Sequence, residues 1–167
     1  MYDELTEVDI QKMQEELNHR IQVLRPQLIE EVQTARAFGD LSENFEYRCA
    51  KQAKNRNESR IRYLEGMIRT AKVIDTRSGA NSVGLFDWVT VYNELAKKEM
   101  VLRVVTTLRQ DALKGLISKE SPAGKALLGH SVGDRVQVEA GPTTKYFLEI
   151  RAIKKGKDDA SLDISSY

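Results

Sequence analysis

The sequence predicts an α+β protein, in which a long antiparallel α-helical coiled-coil hairpin precedes a small antiparallel β-sheet domain with one short helix. Apolar residues recur every three or four positions over residues 7–38 and 47–71, which is the helical period. Beyond residue 82 the period falls to two, which is the period of β-strands. Turn-forming residues at 75–82 separate the two patterns, so we predict a domain boundary there.

Composition limits the class of protein. The chain has 167 residues, 31% of them charged, and a net charge of +1, so any contact with nucleic acid must come from local charge. A single cysteine, Cys49, excludes an intramolecular disulfide and fits a reducing compartment. The polar start is unlike a signal peptide, and no apolar run approaches the roughly 20 residues of a membrane helix. We expect a cytoplasmic protein without membrane association.

The first helix carries one narrow apolar stripe, which needs a partner helix because it cannot bury itself. Pro26 removes a backbone N–H and should bend the helix without ending it, since the stripe continues at Leu28. Gly39 should end the helix, because glycine tolerates a left-handed cap. The stripe consists of Ile10, Met13, Leu17, Ile21, Leu24, Leu28, Val32 and Ala35.

The second helix follows a short connection, which makes the two helices antiparallel neighbours. Near the turn its stripe contains Ala50, Lys54 and Asn57 in place of large apolar groups. Less apolar area can be buried there, so the tip of the hairpin should be less stable than its base.

The second half of the chain predicts a sheet and one short helix. Ser121 can cap this helix, Pro122 suits its first position and Gly129 ends it. We expect the polar residues from Gly156 onwards to be loosely held. The predicted strands are 88–92, 100–105, 134–138 and 146–150, and the predicted domains are 1–76 and 82–155, followed by a tail at 156–167. The aromatic residues Trp88, Tyr92, Tyr146 and Phe147 form either the core or a docking surface.

The turn of the hairpin holds three carboxylates, those of Asp40, Glu43 and Glu46. Asp40 could cap the second helix, with Glu43 three positions later completing a capping box. Alternatively, Asp40 and Glu43 could point into solvent and hold one Mg²⁺ ion, which prefers oxygen ligands. The residues alone leave both interpretations open.

Basic residues follow the turn, with Glu58 the only acid between positions 48 and 64. A charged helix face is usually solvated or ion-paired, but this one would also suit the phosphates of RNA. Tyr47 could pack within the hairpin or help to place an RNA end. The basic residues are Arg48, Lys51, Lys54, Arg56, Arg60 and Arg62.

The segment Gly39-Asp40-Leu41-Ser42-Glu43-Asn44, with Glu46-Tyr47, resembles the tip signature of the bacterial GreA and GreB transcript-cleavage factors. Further motifs are similar to that family in order and spacing, over about residues 5–153. They are Arg25-Pro26, Arg60-Ile61, residues 71–75, Ile117-Ser118, Ser121-Pro122 and residues 126–129.

The resemblance implies that the hairpin enters the secondary channel of bacterial RNA polymerase, while an FKBP-like C-terminal domain docks on the channel rim. The polymerase, and not this protein, would then cleave the 3′ end of backtracked nascent RNA. Asp40 and Glu43 occupy the positions of the catalytic tip acids, and would share Mg²⁺ with the polymerase. We expect no cofactor of the protein's own, and a monomer.

The other tip and flank residues receive roles from the same resemblance. Those that would support the tip are Leu41, Asn44, Phe45, Glu46 and Tyr47, and those that would bind RNA are Lys51, Lys54, Arg56 and Arg62. Two features depart from the family pattern. Phe45 stands where a small residue is common, and residues 93–114 lack the usual acidic stretch.

Other functions remain compatible with the residues. A secondary-channel regulator that inhibits the polymerase would keep the same binding site, and Phe45 keeps this alternative open. An FKBP-type peptidyl-prolyl isomerase would follow from the fold alone, although fold does not determine function. A chaperone-like hairpin would need an apolar tip, whereas this tip is acidic.

Overall fold

The computed structural model describes residues 4–39 and 44–165. The described residues fall into two compact units. The first unit comprises Ile10–Lys72, and the second combines Glu4–Asp9 with residues 73–165. Glu4–Asp9 thus lies outside the unit that contains the rest of the predicted 1–76 domain.

The first unit is a helical hairpin, as predicted. Its first arm runs without interruption through helix α1 (Glu7–His19), a π-helical stretch (Arg20–Leu24) and helix α2 (Arg25–Arg36). Its second arm is helix α3 (Phe45–Thr70). The arms are antiparallel, because Glu16 in the first arm pairs with Arg60 late in the second.

The helix continues past Pro26, as predicted, and the structure shows how. Proline has no N–H, and the turn before it widens so that the Arg25 N–H reaches the carbonyl of Arg20, five residues earlier. The same carbonyl accepts a hydrogen bond from the Asn57 amide (3.3 Å), while the Arg20 guanidinium donates to the Asn57 side-chain oxygen (2.9 Å). The buried Asn57 thus joins the second arm to the π-helical stretch of the first.

Ion pairs hold the arms together alongside the apolar stripe. Arg60, which is buried, donates two hydrogen bonds to Glu16, at 2.9 and 3.0 Å, and Arg20 donates a third at 2.7 Å. Arg25 makes a two-pronged contact with Glu58, at 2.7 and 2.9 Å. The buried apolar residues of this unit are Met13, Leu17, Ala35, Ile61 and Leu64.

The second unit contains a five-stranded sheet. Its strands are β3 (Trp88–Asn93), β4 (Lys98–Val105), β5 (Leu116–Ser118), β6 (Arg135–Glu139) and β7 (Lys145–Lys154), with helix α4 at Pro122–Leu127. Two short strands earlier in the chain, β1 (Glu4–Leu5) and β2 (Lys72–Val73), pair in a separate two-stranded sheet. The five-stranded sheet has the strand order β5-β4-β3-β7-β6. All four predicted strands and the short helix are confirmed, and the hydroxyl of Ser121 caps that helix by accepting from the Gly124 N–H at 3.0 Å.

The four predicted strands pair antiparallel, as expected, but the sheet has a fifth strand that was not predicted, β5, which pairs parallel to β4. Residues 106–115 connect the two strands through two short 3₁₀ turns, Thr107–Arg109 and Ala112–Lys114, which provide the crossover that a parallel pair needs. Strand β5 was missed because three residues are too few to show an alternating pattern.

One face of the sheet forms the core of the second unit. It packs Val89, Val91, Val104, Val136, Val138, Leu148 and Ile150 with Leu127 of α4. Trp88 and Tyr146 pack against buried clusters, as the core interpretation expects. Tyr92 and Phe147 lie instead beneath the guanidinium groups of Arg151 and Arg135.

A buried ionic cluster joins distant segments of the second unit. The fully buried Arg109 donates to Asp9 at 2.7 Å and also pairs with Asp158, and Thr106 donates to Asp9 at 3.1 Å. The Ser165 N–H donates to the Leu108 carbonyl at 2.6 Å. The expectation of a loosely held tail was therefore wrong for residues 156–165, because a carboxylate of the tail neutralises a buried guanidinium.

The pairing of Glu16 predicts that the hairpin is sensitive to acid. Burial alone would raise the pKa of Glu16, but the hydrogen bonds from Arg60 and Arg20 outweigh it and hold this pKa below its usual value. A carboxylate with a depressed pKa in the fold contributes stability above its unfolded pKa, about 4.3, and loses it as the pH falls through the folded pKa.

We expect Glu16→Gln to remove this part of the acid sensitivity and to destabilise the hairpin at neutral pH by about 1.5–3 kcal/mol, through weaker bonds to Arg60. Amide hydrogen exchange at residues 57–61, measured from about pH 7 down to about pH 3, below the usual carboxyl pKa, reports on this unit alone. The exposed Glu31→Gln is the matched control and should exchange like the wild type. Equal protection in all three proteins would contradict the assignment.

Candidate functional site at the hairpin tip

The candidate site is the turn that connects α2 to α3. Asp40, Leu41, Ser42 and Glu43 lie outside the described residues, so the catalytic and metal-binding roles of Asp40 and Glu43 stay a prediction. The flanking residues are described, and they define where each arm ends.

Asn44 joins the two ends of the turn. Its side-chain oxygen accepts a hydrogen bond from the Tyr47 N–H at 3.0 Å, which makes it the N-cap of α3. Its amide donates to the carbonyl of Ala35, at the end of the first arm, at 2.6 Å. The interpretation of Asp40 as the cap of this helix was therefore wrong, because α3 begins at Phe45 and Asn44 occupies the capping position.

Gly39 adopts a backbone conformation that L-residues rarely take, with φ at +146°. The first arm ends at Arg36, and Ala37 follows it with a right-handed backbone. The prediction that the helix ends just before this glycine is confirmed. The predicted left-handed cap was wrong, since a φ of +146° lies well outside the left-handed helical region.

Tyr47 bridges the two arms next to the turn. Arg36 donates to the Tyr47 hydroxyl at 3.5 Å, and its guanidinium carbon lies 5.6 Å from the ring centroid. The hydrogen bond from Arg36 lowers the pKa of Tyr47, and the nearby charges of Lys51 and Lys54 lower it further. These contacts agree with the interpretation in which Tyr47 packs within the hairpin.

The solvent-facing side of α3 is basic. Over residues 45–62, exposed residues line a sector of about 140° of the helix circumference, counted at 3.6 residues per turn, and we call this sector the outer face. The exposed Glu46 and Cys49 lie outside it. The outer face consists of Phe45, Arg48, Lys51, Gln52, Asn55, Arg56, Ser59 and Arg62. It therefore presents four cations and no acid, with Phe45 at its tip end.

The predicted RNA-binding residues relate to this surface in different ways. Lys51, Arg56 and Arg62 belong to the outer face. Lys54 is half-buried at its margin and lies close enough to Glu58 to lower the pKa of that carboxyl, after the larger effect of Arg25. Arg60 is not available to a ligand, because it is buried against Glu16.

The opposite side of the tip is acidic. A groove of about 730 Å³ opens between the arms, where the small residues Ala35, Ala50 and Ala53 leave space. Carboxylates and one exposed aromatic ring complete its lining, namely Glu30, Glu31, Glu46 and Phe38. The weak apolar stripe seen in the sequence thus corresponds to a gap between the helices.

Two further features bear on the class of protein. Within residues 4–39 and 44–165, no group of three or more His, Cys, Asp and Glu side chains is placed to hold a metal ion. In the same part of the chain, no helix combines the length and apolar character needed to cross a membrane.

Two residues next to the turn, Asn44 and Arg36, have a larger role in the structure than the sequence indicates. Asn44 was named only as tip support, although an asparagine just before a helix is a capping signal. Arg36 was not named at all. Its pairing with Tyr47 across the turn depends on how the turn closes, which residue spacing does not reveal.

Comparison with known proteins defines the class as a transcription elongation factor. The family model described as "Transcription elongation factor, N-terminal" matches residues 4–73, and the one described as "Transcription elongation factor, GreA/GreB, C-term" matches residues 78–155. The chain belongs to the GreA/GreB family of transcription elongation factors.

Individual relatives extend over most of the chain. Transcription elongation factor GreA of Thermoanaerobacter pseudethanolicus is 43% identical over 150 residues, which cover 88% of this chain and 96% of that protein. GreA of Mesoplasma florum is 40% identical over 152 residues, covering 89% and 96%. Among solved structures, Gfh1 of Thermus thermophilus is 27% identical, with 93% of this chain and all of that one covered, at a TM-score of 0.43.

The two hydrogen bonds of Asn44 can be separated by substitution. Asn44→Ala removes both, and should destabilise the first turn of α3 by about 0.5–2 kcal/mol, the usual effect of losing a cap. Asn44→Asp keeps the acceptor for the Tyr47 N–H but loses the donor to Ala35. Amide exchange at Tyr47 and Arg48 should therefore speed up in the alanine variant and stay slow in the aspartate variant. Equal exchange in all three proteins would contradict the capping role.

Proposed function

We propose that this protein binds bacterial RNA polymerase in the cytoplasm and stimulates the polymerase's own endonucleolytic cleavage of the 3′ end of backtracked RNA. The protein would not be an enzyme by itself. Membership of the GreA/GreB family is the observation that carries the proposal. The family gives no support to the isomerase and chaperone alternatives.

In this proposal the hairpin acts as a coiled coil that enters the secondary channel, while the C-terminal unit, FKBP-like in fold, docks on the channel rim. The 26 residues of α3 give an arm of about 39 Å at 1.5 Å per residue, which is long enough to carry a tip deep into a channel. The ion pairs between the arms and the hydrogen bond from Asn44 to Ala35 hold the two arms together up to the ends of the turn, which supports this role.

The proposed chemistry rests on the carboxylates of Asp40 and Glu43. Their oxygens are the hard donors that Mg²⁺ prefers, and one or two protein carboxylates often suffice for that ion. The ion would belong to the polymerase, and metal ions at such sites stabilise the attacking and leaving oxygens of phosphodiester hydrolysis. Asp40 and Glu43 would help to hold it and would orient the attacking water by accepting its hydrogen bonds.

Cleavage of RNA in a defined backtracked complex tests these roles. We expect Asp40→Asn and Glu43→Gln each to slow cleavage at least about 10-fold, because a neutral amide is a weaker ligand for Mg²⁺. Glu46→Gln, a neighbouring acid with a supporting role, should retain most of the activity. Binding to the polymerase should be unchanged in all three variants.

Full activity of both Asp40→Asn and Glu43→Gln would sink the assignment of the tip acids. A wild-type protein that binds the complex and slows the polymerase, without shortening the RNA, would favour the inhibitor alternative.

The outer face of α3 would contact the phosphates of the extruded RNA. Its cations predict a salt-dependent affinity, because each neutralised phosphate releases bound counterions. For a single strand, losing one contact should reduce the slope of log affinity against log salt by about 0.7.

We expect Lys51→Ala and Arg56→Ala each to show this smaller slope of log affinity against log salt with a backtracked complex. With a complex that has no extruded RNA, the slope should stay at the wild-type value. Arg77→Ala, which removes an exposed cation of the second unit, is the control for net charge. If the slope stays at the wild-type value in both hairpin variants, the outer face does not bind RNA.

A further inference from the structure

Two phenylalanines flank the tip turn and are equally exposed, Phe38 at 71% and Phe45 at 70%. Phe38 directly precedes Gly39, and Phe45 directly follows Asn44. Single exposed apolar residues are common on protein surfaces, so exposure alone assigns no role to either ring. The two rings differ in the charges around them and in how the backbone holds them.

The charges around the two rings have opposite signs. Phe38 lines the groove whose rim carries Glu30, Glu31 and Glu46, and this rim repels phosphate. Phe45 lies at the tip end of the outer face, with Arg48 one helical turn away on the same side. A ligand that combines negative charge with a flat apolar surface would favour Phe45 over Phe38.

The backbone beneath Phe45 is fixed. Phe45 is the first residue of α3, and the residue before it bonds both to the Tyr47 N–H and to the Ala35 carbonyl. Cα–Cβ bonds in a helix tilt towards its N-terminus, so a side chain in the first turn projects towards the tip. A phenylalanine ring has only two side-chain torsions to fix, so it can stack without losing much conformational freedom.

We propose that Phe45 stacks on an unpaired base at the extruded 3′ end of the RNA and so positions that end beside the tip. The proposal rests on the proposed function, since the RNA is the backtracked transcript. Aromatic side chains are the usual platforms for unpaired bases, and they accept any base because every base has a π-face. Arg48 lies where the phosphate of the same nucleotide can pair with it.

An apolar pocket of the polymerase itself is the competing partner for this ring. The outer face argues against it, because its four cations follow Phe45 along α3 from Arg48 to Arg62, with no acid among the eight residues of that face. A polyanion matches this surface better than an apolar protein pocket does. The two partners also predict different outcomes when the base is removed from the RNA.

Fluorescence of 2-aminopurine at the extruded RNA 3′ end tests the stacking directly. The chain with Asp40→Asn and Glu43→Gln, in which cleavage of the RNA should be slow, serves as the parent. We expect the parent to quench the fluorescence when it binds the backtracked complex, Phe45→Ala to lose most of this quenching, and Phe45→Tyr to retain it. Phe38→Ala is the matched control, because it removes an equally exposed ring from the acidic side of the tip. It should quench the fluorescence as much as the parent does.

Affinity for the backtracked complex gives a second readout. Phe45→Ala should weaken binding at least about 5-fold, the lower end of what one stacked base contributes. This loss should disappear when the extruded nucleotides are abasic. Unchanged amide exchange in α3 would confirm that the variant is folded.

Quenching by Phe45→Ala equal to that of the parent would overturn the proposal. So would a loss of affinity that persists with abasic RNA, because the ring would then contact the polymerase. If the parent fails to bind the polymerase at all, the proposed function fails and this proposal fails with it. If every variant binds the polymerase and quenches the fluorescence as the parent does, the stacking proposal is overturned while the proposed function stands.

Discussion

The hairpin depends on polar side chains that are paired across its two arms. Its apolar stripe thins towards the tip, where alanines replace larger groups, so hydrophobic burial alone would leave the register of the arms weakly defined. The ion pair between Arg60 and Glu16 and the hydrogen bond from Asn57 to the Arg20 carbonyl define this register instead. A slip of one residue would leave buried polar groups unpaired, which is strongly unfavourable. The hydrogen bond from Asn44 to the Ala35 carbonyl then joins the ends of the two arms.

The same thinning of the stripe separates charge at the tip. Small residues open the acidic groove on one side, while the outer face of α3 collects cations on the other. A hairpin with two oppositely charged sides has one preferred rotation in the field of a polyanion. The outer face and its phenylalanine would turn towards the RNA, and the carboxylates of the groove would turn away from it.

Much of this fold follows from patterns in the sequence, and the exceptions have physical causes. The spacing of apolar residues predicts the long helices and the alternating strands. The position of Ser121 directly before a proline predicts that it caps the short helix. Strand β5 was too short to recognise, and its parallel pairing depends on a crossover. The π-helical stretch before Pro26 is hydrogen-bonded at Arg20 to Asn57, 37 positions later in the chain, which no local pattern reveals. At the tip, Asp40 and Glu43 fit a capping pattern, yet the cap is Asn44, because the helix starts later than that pattern suggests.

The buried cluster around Arg109 has a consequence for how the chain folds during synthesis. Arg109 binds Asp9, which leaves the ribosome a hundred residues earlier, and Asp158, which leaves it 49 residues later. The helical hairpin has mostly local contacts and can form as soon as it emerges. The second unit can be completed only after its last strand and the segment that follows it have emerged. Until then the carboxylate of Asp9 has no buried guanidinium to pair with. The second unit therefore cannot be completed before Asp158 has emerged, so chains truncated ahead of it would carry a formed hairpin without a finished second unit.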